Sequence, residues 1–308
     1  MMMGRSQDIA SICTIANATA YRELLILLKS FDLFNKAHIF VLCDKDVEEN
    51  LRGLRLSQCE VSTFPGIDSR FSNVRRYPST IERLLTRSGN LSQKIVRTLT
   101  RNRHGISDST YVTNLEVNRT LRLTEFFKFK IDVMDEAIRR CGDTLFVDAD
   151  VVFLSKANLD FTCHEVLLSP HMISAESEQL YGKFNAGYVG SKSQAFLGWW
   201  RQMIGQSRFL DQECLTHATT HFECAELPIQ HNFGWWRLTH APSKIEKSLR
   251  ENRFRVHKDQ ILFQEEPLVS VHTHTGSVHQ PSHNFNLLIK DLLRASSNTK
   301  HQEVLSLL

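Results

Sequence analysis

The chain has 308 residues, 42% of them hydrophobic and 23% charged, with a net charge of +3. This is the balance of an ordinary globular protein with apolar residues for a sizeable core, and a pI of about 8.5 is too mildly basic to mark a nucleic-acid binder. Seven scattered cysteines, an odd number, argue for a reducing compartment and against a disulfide framework; with no apolar leader and no membrane-length apolar run, a cytoplasmic protein is expected.

The first sixty or so residues alternate strand-like and helix-like runs. Residues 9–15 are β-branched and apolar, and read as a buried strand. Tyr21, Leu24, Leu25 and Leu28 then recur at helical spacing. Residues 38–43 form a second apolar strand ending at Asp44, and a short polar helix leads to another strand near Val61. A βαβαβ pattern of this kind predicts a parallel sheet covered by helices. The triplets at Asn17, Asn90 and Asn118 fit a glycosylation pattern, but without a secretory route they read as chance matches.

Between about 70 and 105 the composition turns basic. Nine arginines and lysines from Arg70 to Arg103 face one acid, Glu82. Ile81, Leu84, Leu85, Ile95 and Leu99 suggest amphipathic helices, so the segment reads as a basic helical insertion. A solvated face is the plain reading; the sharper one is a surface for an anionic acceptor or peripheral membrane contact. Aromatic residues are too sparse there for a single-stranded nucleic-acid platform.

The alternation then resumes. Residues 126–140 are helical, with Ile131, Met134 and Ile138 on one stripe, and residues 144–147 and 151–154 are strands. Residues 164–169 and 186–190 look like later strands, and Trp199 and Trp200 lie on a helix. Cys214, His217, His221 and Cys224 imitate zinc spacing, but on a continuous helix the outer two would stand about 15 Å apart, too far for one tetrahedral ion.

Two Asp-x-Asp triplets occur. In Asp44-Lys45-Asp46 the second acid is placed as the N-cap of a polar helix. Asp148-Ala149-Asp150 instead interrupts two strongly apolar runs, where two carboxylates are costly to bury without compensation. A magnesium or manganese ion would compensate them, since such ions take one or two protein carboxylates together with substrate phosphates. At the carboxyl end of a strand both acids would face the crevice where α/β sheets bind ligands.

The run from Asp143 to Leu154 around this triplet resembles the core motif of GT-A-fold nucleotide-diphospho-sugar transferases, the group of glycogenin-like and galactinol-synthase-like enzymes. Further segments follow in the family's order: Asn185 to Gly187 within 184–190, the Asp211-Gln212 pair, a Leu227-Pro228 to Asn232 stretch, and a late strand ending at His272. The resemblance implies one glycosyltransferase domain over residues 1–308, with a mixed, mostly parallel sheet flanked by helices. It implies transfer of a sugar from a nucleotide-diphosphate donor, a UDP-sugar foremost, to the hydroxyl of a glycan, lipid or small-molecule acceptor, and it leans towards retention.

It also implies roles. Asp148, Asp150 and His272 would hold Mn2+ or Mg2+. Lys130, with Lys128 nearby, would meet the diphosphate. Asp211 and Asn185 would orient the sugar, with Gly187 and Gln212 beside them, and Thr14, Ala16 and Asp44 would contact base and ribose. His272 and His274 lie two apart on a strand and share a face; the spacing to Gly276 is one residue longer than expected, so either could be the ligand. A nucleotidyltransferase should carry a Gly-rich basic loop after the first strand, and residues 14–19 have none. A non-catalytic relative would have no use for the intact acid pair.

Overall fold

The computed structural model describes residues 9–67, 71, 108–204, 206–207, 211–239, 254–275 and 280–308. The apolar runs near the start form three parallel neighbours, β1 (Ser11–Ala16), β2 (His38–Cys43) and β3 (Glu60–Pro65). On the other side of β1, β4 (Thr144–Val147) adds in parallel, with Cys13 opposite Phe146. After the short β5 (Val151–Phe153), β6 (Val166–Pro170) and β7 (Phe184–Ser191) extend the sheet, β7 running antiparallel to both β4 and β6. β8 (Cys224–Glu226) completes a seven-stranded sheet in the order β3-β2-β1-β4-β7-β6-β8. The expected mixed, mostly parallel sheet is therefore present, reversed only at β7.

Helices cover both faces because side chains alternate along each strand. Ile12, Ile39 and Leu145 bury one face together with Leu24, Leu27, Leu28 and Phe31 of α1 (Tyr21–Phe34). Cys13, Phe40 and Phe146 bury the other, against Ile131, Met134 and Ala137, with Trp200 behind. Burying a leucine or phenylalanine of this kind contributes roughly 1.5–3 kcal/mol. Cys13 and Cys43 are buried, as read from their apolar surroundings, and burial pushes both thiols up to about 12.

A second, smaller sheet closes the site side. β9 (Phe233–Gly234) and β13 (Ser270–His272) flank each other in parallel, and β13 pairs antiparallel with β5. Three further strands, β10 (Phe254–His257), β11 (Gln260–Phe263) and β12 (Glu266–Pro267), form an antiparallel ribbon between them in sequence.

Two local readings change, and a third falls almost wholly outside the described residues. The polar helix α2 (Lys45–Leu51) is capped by Asp44, not Asp46: Asp44 Oδ1 accepts from Val47 N at 3.0 Å, the N3 position that a cap reaches. The helix expected at 126–140 belongs to a 34-residue helix, α3 (Asp108–Cys141). Of the basic insertion at about 70–105, only Phe71 lies within the described residues; its ring meets Phe129 edge-on at 5.6 Å. Beyond α3 come α4 (Ala175–Tyr181), α5 (Gln194–Ile204) with Trp199 and Trp200 as expected, α6 (Trp236–Thr239), α7 (Gln280–Ala295) and α8 (Thr299–Leu307). Among the described residues no helix is long and apolar enough to cross a membrane.

The start of β3 is held by Asp32 of α1. Its carboxylate accepts from Ser57 N and Oγ at 2.7 Å each and from Gln58 N and Cys59 N at 2.8 Å each. Burial alone would raise its pKa, but these donors outweigh it and hold the carboxyl below its ordinary value. Its stabilisation is thus present above the unfolded pKa, near 4, and fades as pH falls through the lower folded value. Asp32→Ala should cost about 2 kcal/mol in urea unfolding at pH 7, and the gap from the wild type should narrow below about pH 4; a gap unchanged from pH 7 to pH 3 would refute this account.

Candidate active site

The expected site residues gather where β1, β2 and β4 end. After β4 the chain turns at Asp148 to Asp150, with Val151 N donating to Asp148 O at 3.1 Å, and re-enters as β5. Because β5 pairs with β13, His272 stands opposite Val151, beside the second acid. Thr273 clamps this arrangement, its N and Oγ1 both donating to Asp150 O, at 2.9 and 2.8 Å. His272 Nε2 lies 2.9 Å from Asp150 Oδ1 and 3.9 Å from Asp148 Oδ2.

Lys130 approaches from α3 and is 2% exposed. Its Nζ lies 2.7 Å from Asp211 Oδ2 and 3.2 Å from Asp148 Oδ1, and it donates to Ala186 O at 3.1 Å. An ammonium has three donors, and here three oxygens engage it. The rings of Phe127 and Phe146 flank it at 4.9 and 4.8 Å. Lys130, expected at the diphosphate, holds two carboxylates in place with its charge. Lys128 does not join it. The segment is helical, not alternating, so residues two apart diverge by roughly 200°, and Lys128 pairs with Glu125 at 2.7 Å.

Gly187 and Asn185 shape the floor. Asp148 N donates to Gly187 O at 2.8 Å across the β4–β7 pair. A Cβ on Gly187 would meet Asp148 Oδ2 at 2.3 Å, so the carboxylate needs a glycine there. Asn185 Oδ1 accepts from Gly187 N at 2.8 Å, and its Nδ2 reaches His171 Nε2 at 3.1 Å. His171 Nδ1 in turn faces Gly182 O at 2.9 Å, which fixes that nitrogen as the donor. The Asn185 amide is thus committed in part to the fold.

Asp211 precedes the next turn without capping it. Gln212 occupies the cap of the 3-10 turn Glu213–Thr220 without a side-chain bond, and its Nε2 donates to Tyr181 O at 2.8 Å. The continuous helix imagined for Cys214 to Cys224 is absent, since Cys224 opens β8. At the far strand ends, Thr14 and Ala16 are buried, and Asp44 Oδ2 accepts from Ala18 N at 2.8 Å, which binds the loop after β1 to the end of β2.

The two histidines differ. β13 ends at His272, and His274 follows in a left-handed backbone with φ 48°, so they do not share a strand face. Their rings still meet, 4.4 Å apart at 85°. His272 Nδ1 faces Asn232 Oδ1 at 2.9 Å, while Asn232 Nδ2 donates to Ser169 Oγ at 3.1 Å. The neutral His272 ring therefore carries its proton on Nδ1, which leaves a lone pair on Nε2. Trp235 Nε1–H donates to His274 Nδ1 at 2.9 Å, and an indole N–H can only donate. The neutral His274 ring accordingly carries its proton on Nε2.

Three residues without a predicted role support this. Asn232 orients His272; it lay in the family-like stretch, but nothing local named its partner. Arg237 is fully buried and donates to Ile229 O, His231 O, His171 O and Pro170 O, and to Ser169 Oγ. Burial lowers its guanidinium to about 9, and burial beside Arg237 lowers His231 to about 4, so at neutral pH the arginine is charged and the histidine is not.

A metal suits this donor set. Among the described residues, Asp150, His272 and His274 offer ligand atoms within 4.8 Å of one another. His272 Nε2 is buried and makes no hydrogen bond despite its 2.9 Å approach to Asp150, the geometry of two ligands converging on a third body. Oxygen with one imidazole suits manganese or magnesium, the imidazole favouring manganese.

No protein-family model matches the chain, and no curated protein matches it. Solved structures similar in chain path include the glycosyltransferase GlyE of Streptococcus pneumoniae, at 13% identity and TM-score 0.46, covering 86% of this chain and 54% of that one. Mouse xyloside xylosyltransferase 1 follows at 11% identity and TM-score 0.43, covering 89% and 100%. The bifunctional glycosyltransferase WbbM stands at 13% identity and TM-score 0.47, covering 98% and 52%. The chain spans about half the length of GlyE and of WbbM.

Two substitutions probe the geometry. Gly187→Ala should displace the Asp148 carboxylate and weaken Mn2+ binding about tenfold or more by calorimetry, at a stability cost of about 1–3 kcal/mol. Lys130→Met should cost about 3–5 kcal/mol in urea unfolding, because it strands Asp148 and Asp211 without their cation. A Lys130→Met chain as stable as the wild type would contradict the reading of that triad.

Proposed function

We propose that residues 1–308 form one glycosyltransferase domain of the GT-A type, which moves a sugar from a nucleotide-diphosphate donor, UDP-linked foremost, to an acceptor hydroxyl. The observation that carries this reading is the convergence of Asp148, Asp150 and His272 at the carboxyl end of β4, with His272 Nε2 buried and aimed at a carboxylate it does not hydrogen-bond. The sequence resemblance supplies the reaction class.

In this reading Asp148, Asp150 and His272 are the metal ligands. A divalent ion bound by them supplies positive charge to the departing diphosphate. Lys130 acts behind them as a positioning residue, since one ammonium spans Asp148 and Asp211. Asp211 is thereby held beside the metal face, where its charge would favour positive character developing at the sugar carbon. Thr14, Ala16 and Asp44 would receive the nucleoside at the ends of β1 and β2, the next strands along. Asn185 and Gly187 shape the floor under the sugar, and Gln212 holds the wall at Tyr181.

The test is donor hydrolysis by the purified chain across a panel of sugar nucleotides, UDP-sugars first, with Mn2+, with Mg2+ and with chelator. Metal-dependent turnover of at least one donor is expected, and Asp150→Asn should lower it by about 10²-fold or more with the fold intact by circular dichroism. Absence of turnover and of nucleotide binding across the panel would overturn the reading.

A further inference from the structure

We propose that His274, although it completes the cluster with Asp150 and His272, is not a ligand of the ion: it donates its Nε2–H to an oxyanion of the diphosphate that the ion holds. The inference rests on the transferase reading above and assigns a residue that this reading leaves without a role.

The first support is the pair of opposed tautomers. Both rings face a fixed group through Nδ1, but the groups differ in kind. His272 Nδ1 faces an amide oxygen, which can only accept, whereas His274 Nδ1 faces an indole N–H, which can only donate. In their neutral forms His272 therefore keeps a lone pair on its buried Nε2, and His274 keeps a proton on its own. Making His274 a ligand through Nε2 would move its proton to Nδ1, against the Trp235 N–H. The bond of a ligating histidine's second nitrogen usually runs the other way, from ring N–H to an acceptor.

The second support is placement. The left-handed backbone at His274 swings its ring back beside His272 instead of carrying it along the strand. A non-glycine residue adopts that conformation at a cost, and such positions cluster at functional sites. Trp236 covers the ring at 5.2 Å and 33°, and the histidine is 6% exposed. The indole of Trp236 needs Gly234, because a Cβ there would meet its ring at 2.1 Å. A ring walled by aromatic rings, with a nitrogen within 4.8 Å of ligand atoms of Asp150 and His272 and a buried Nε2, suits an anionic oxygen carried in by the metal.

Calorimetry on the full chain separates the roles, with Mn2+ alone as one probe and inorganic pyrophosphate at saturating Mn2+ as the other. Pyrophosphate carries the chemistry common to every nucleoside diphosphate. His272→Ala should weaken Mn2+ about tenfold or more. His274→Asn tolerates the left-handed backbone but is too short to reach. It should leave Mn2+ within about threefold and weaken pyrophosphate about tenfold, the scale of one charge-assisted bond. Trp235→Phe leaves both histidines in the chain and frees the tautomer of His274; it should weaken pyrophosphate without weakening Mn2+. If His274→Asn weakens Mn2+ as far as His272→Ala does, His274 is a ligand and the proposal fails. Pyrophosphate affinity unchanged in both His274→Asn and Trp235→Phe also overturns it. A wild-type chain that binds no Mn2+ overturns the transferase reading itself, a result distinct from either.

Discussion

The arrangement depends on one buried cation. Lys130 sits inside the protein between Asp148, at the end of β4, and Asp211, in the turn before Glu213, and its ammonium offsets the burial of both carboxylates. Desolvating three charges is costly, and a well-packed apolar trio is often as stable or more so. The triad therefore argues for geometry over stability. It locks α3 to the end of β4 and sets Asp148 so that one oxygen faces Lys130 and the other faces His272. The close β4–β7 approach follows, and with it the need for glycine at position 187.

A second buried cation does the same for the histidine side. Arg237 uses its fork on backbone carbonyls from two segments, 170–171 and 229–231, and its remaining donor falls on Ser169 Oγ. Ser169 Oγ also receives Asn232, and Asn232 fixes the tautomer of His272. The path from Arg237 to the His272 lone pair is thus a chain of hydrogen bonds in which each donor has one acceptor available. Carbonyl oxygens spread the charge, so Arg237 is buried without an added anion beside Asp150 and His272 among the described residues.

The sheet and the acid pair were legible because their signals are local. Apolar runs with turns between them predict strands wherever the sheet is covered on both faces, and acids interrupting such a run stand out. Lys128 and Lys130 were ambiguous because Phe-Lys-Phe-Lys satisfies both a two-residue and a helical period over so short a stretch. Asp44 and Asp46 were confused because either can cap a helix in principle, and the choice lies in a contact with Ala18 across the strand ends. Asp211 gives no local sign of its partner Lys130, 81 positions earlier. Nothing local showed the roles of Arg237, Ser169 and Asn232, since these lie in contacts up to 68 residues apart.

The histidine pair shows how far such distant contacts decide chemistry. His272 and His274 are the same residue, two positions apart, with rings in contact, and composition or spacing cannot rank them. What separates them is the character of one atom behind each ring: an amide oxygen 40 residues upstream of one and an indole N–H 39 residues upstream of the other. An acceptor behind the ring makes the front a ligand, and a donor behind it makes the front a donor. The site therefore has two unlike neighbours, a lone pair suited to a cation and a proton suited to an anion, set side by side. A metal-bound phosphate presents that same pair of charges. The aromatic packing of Trp235 and Trp236 is then part of the recognition chemistry as well as of the core, because it holds the second histidine in the state that the first does not adopt.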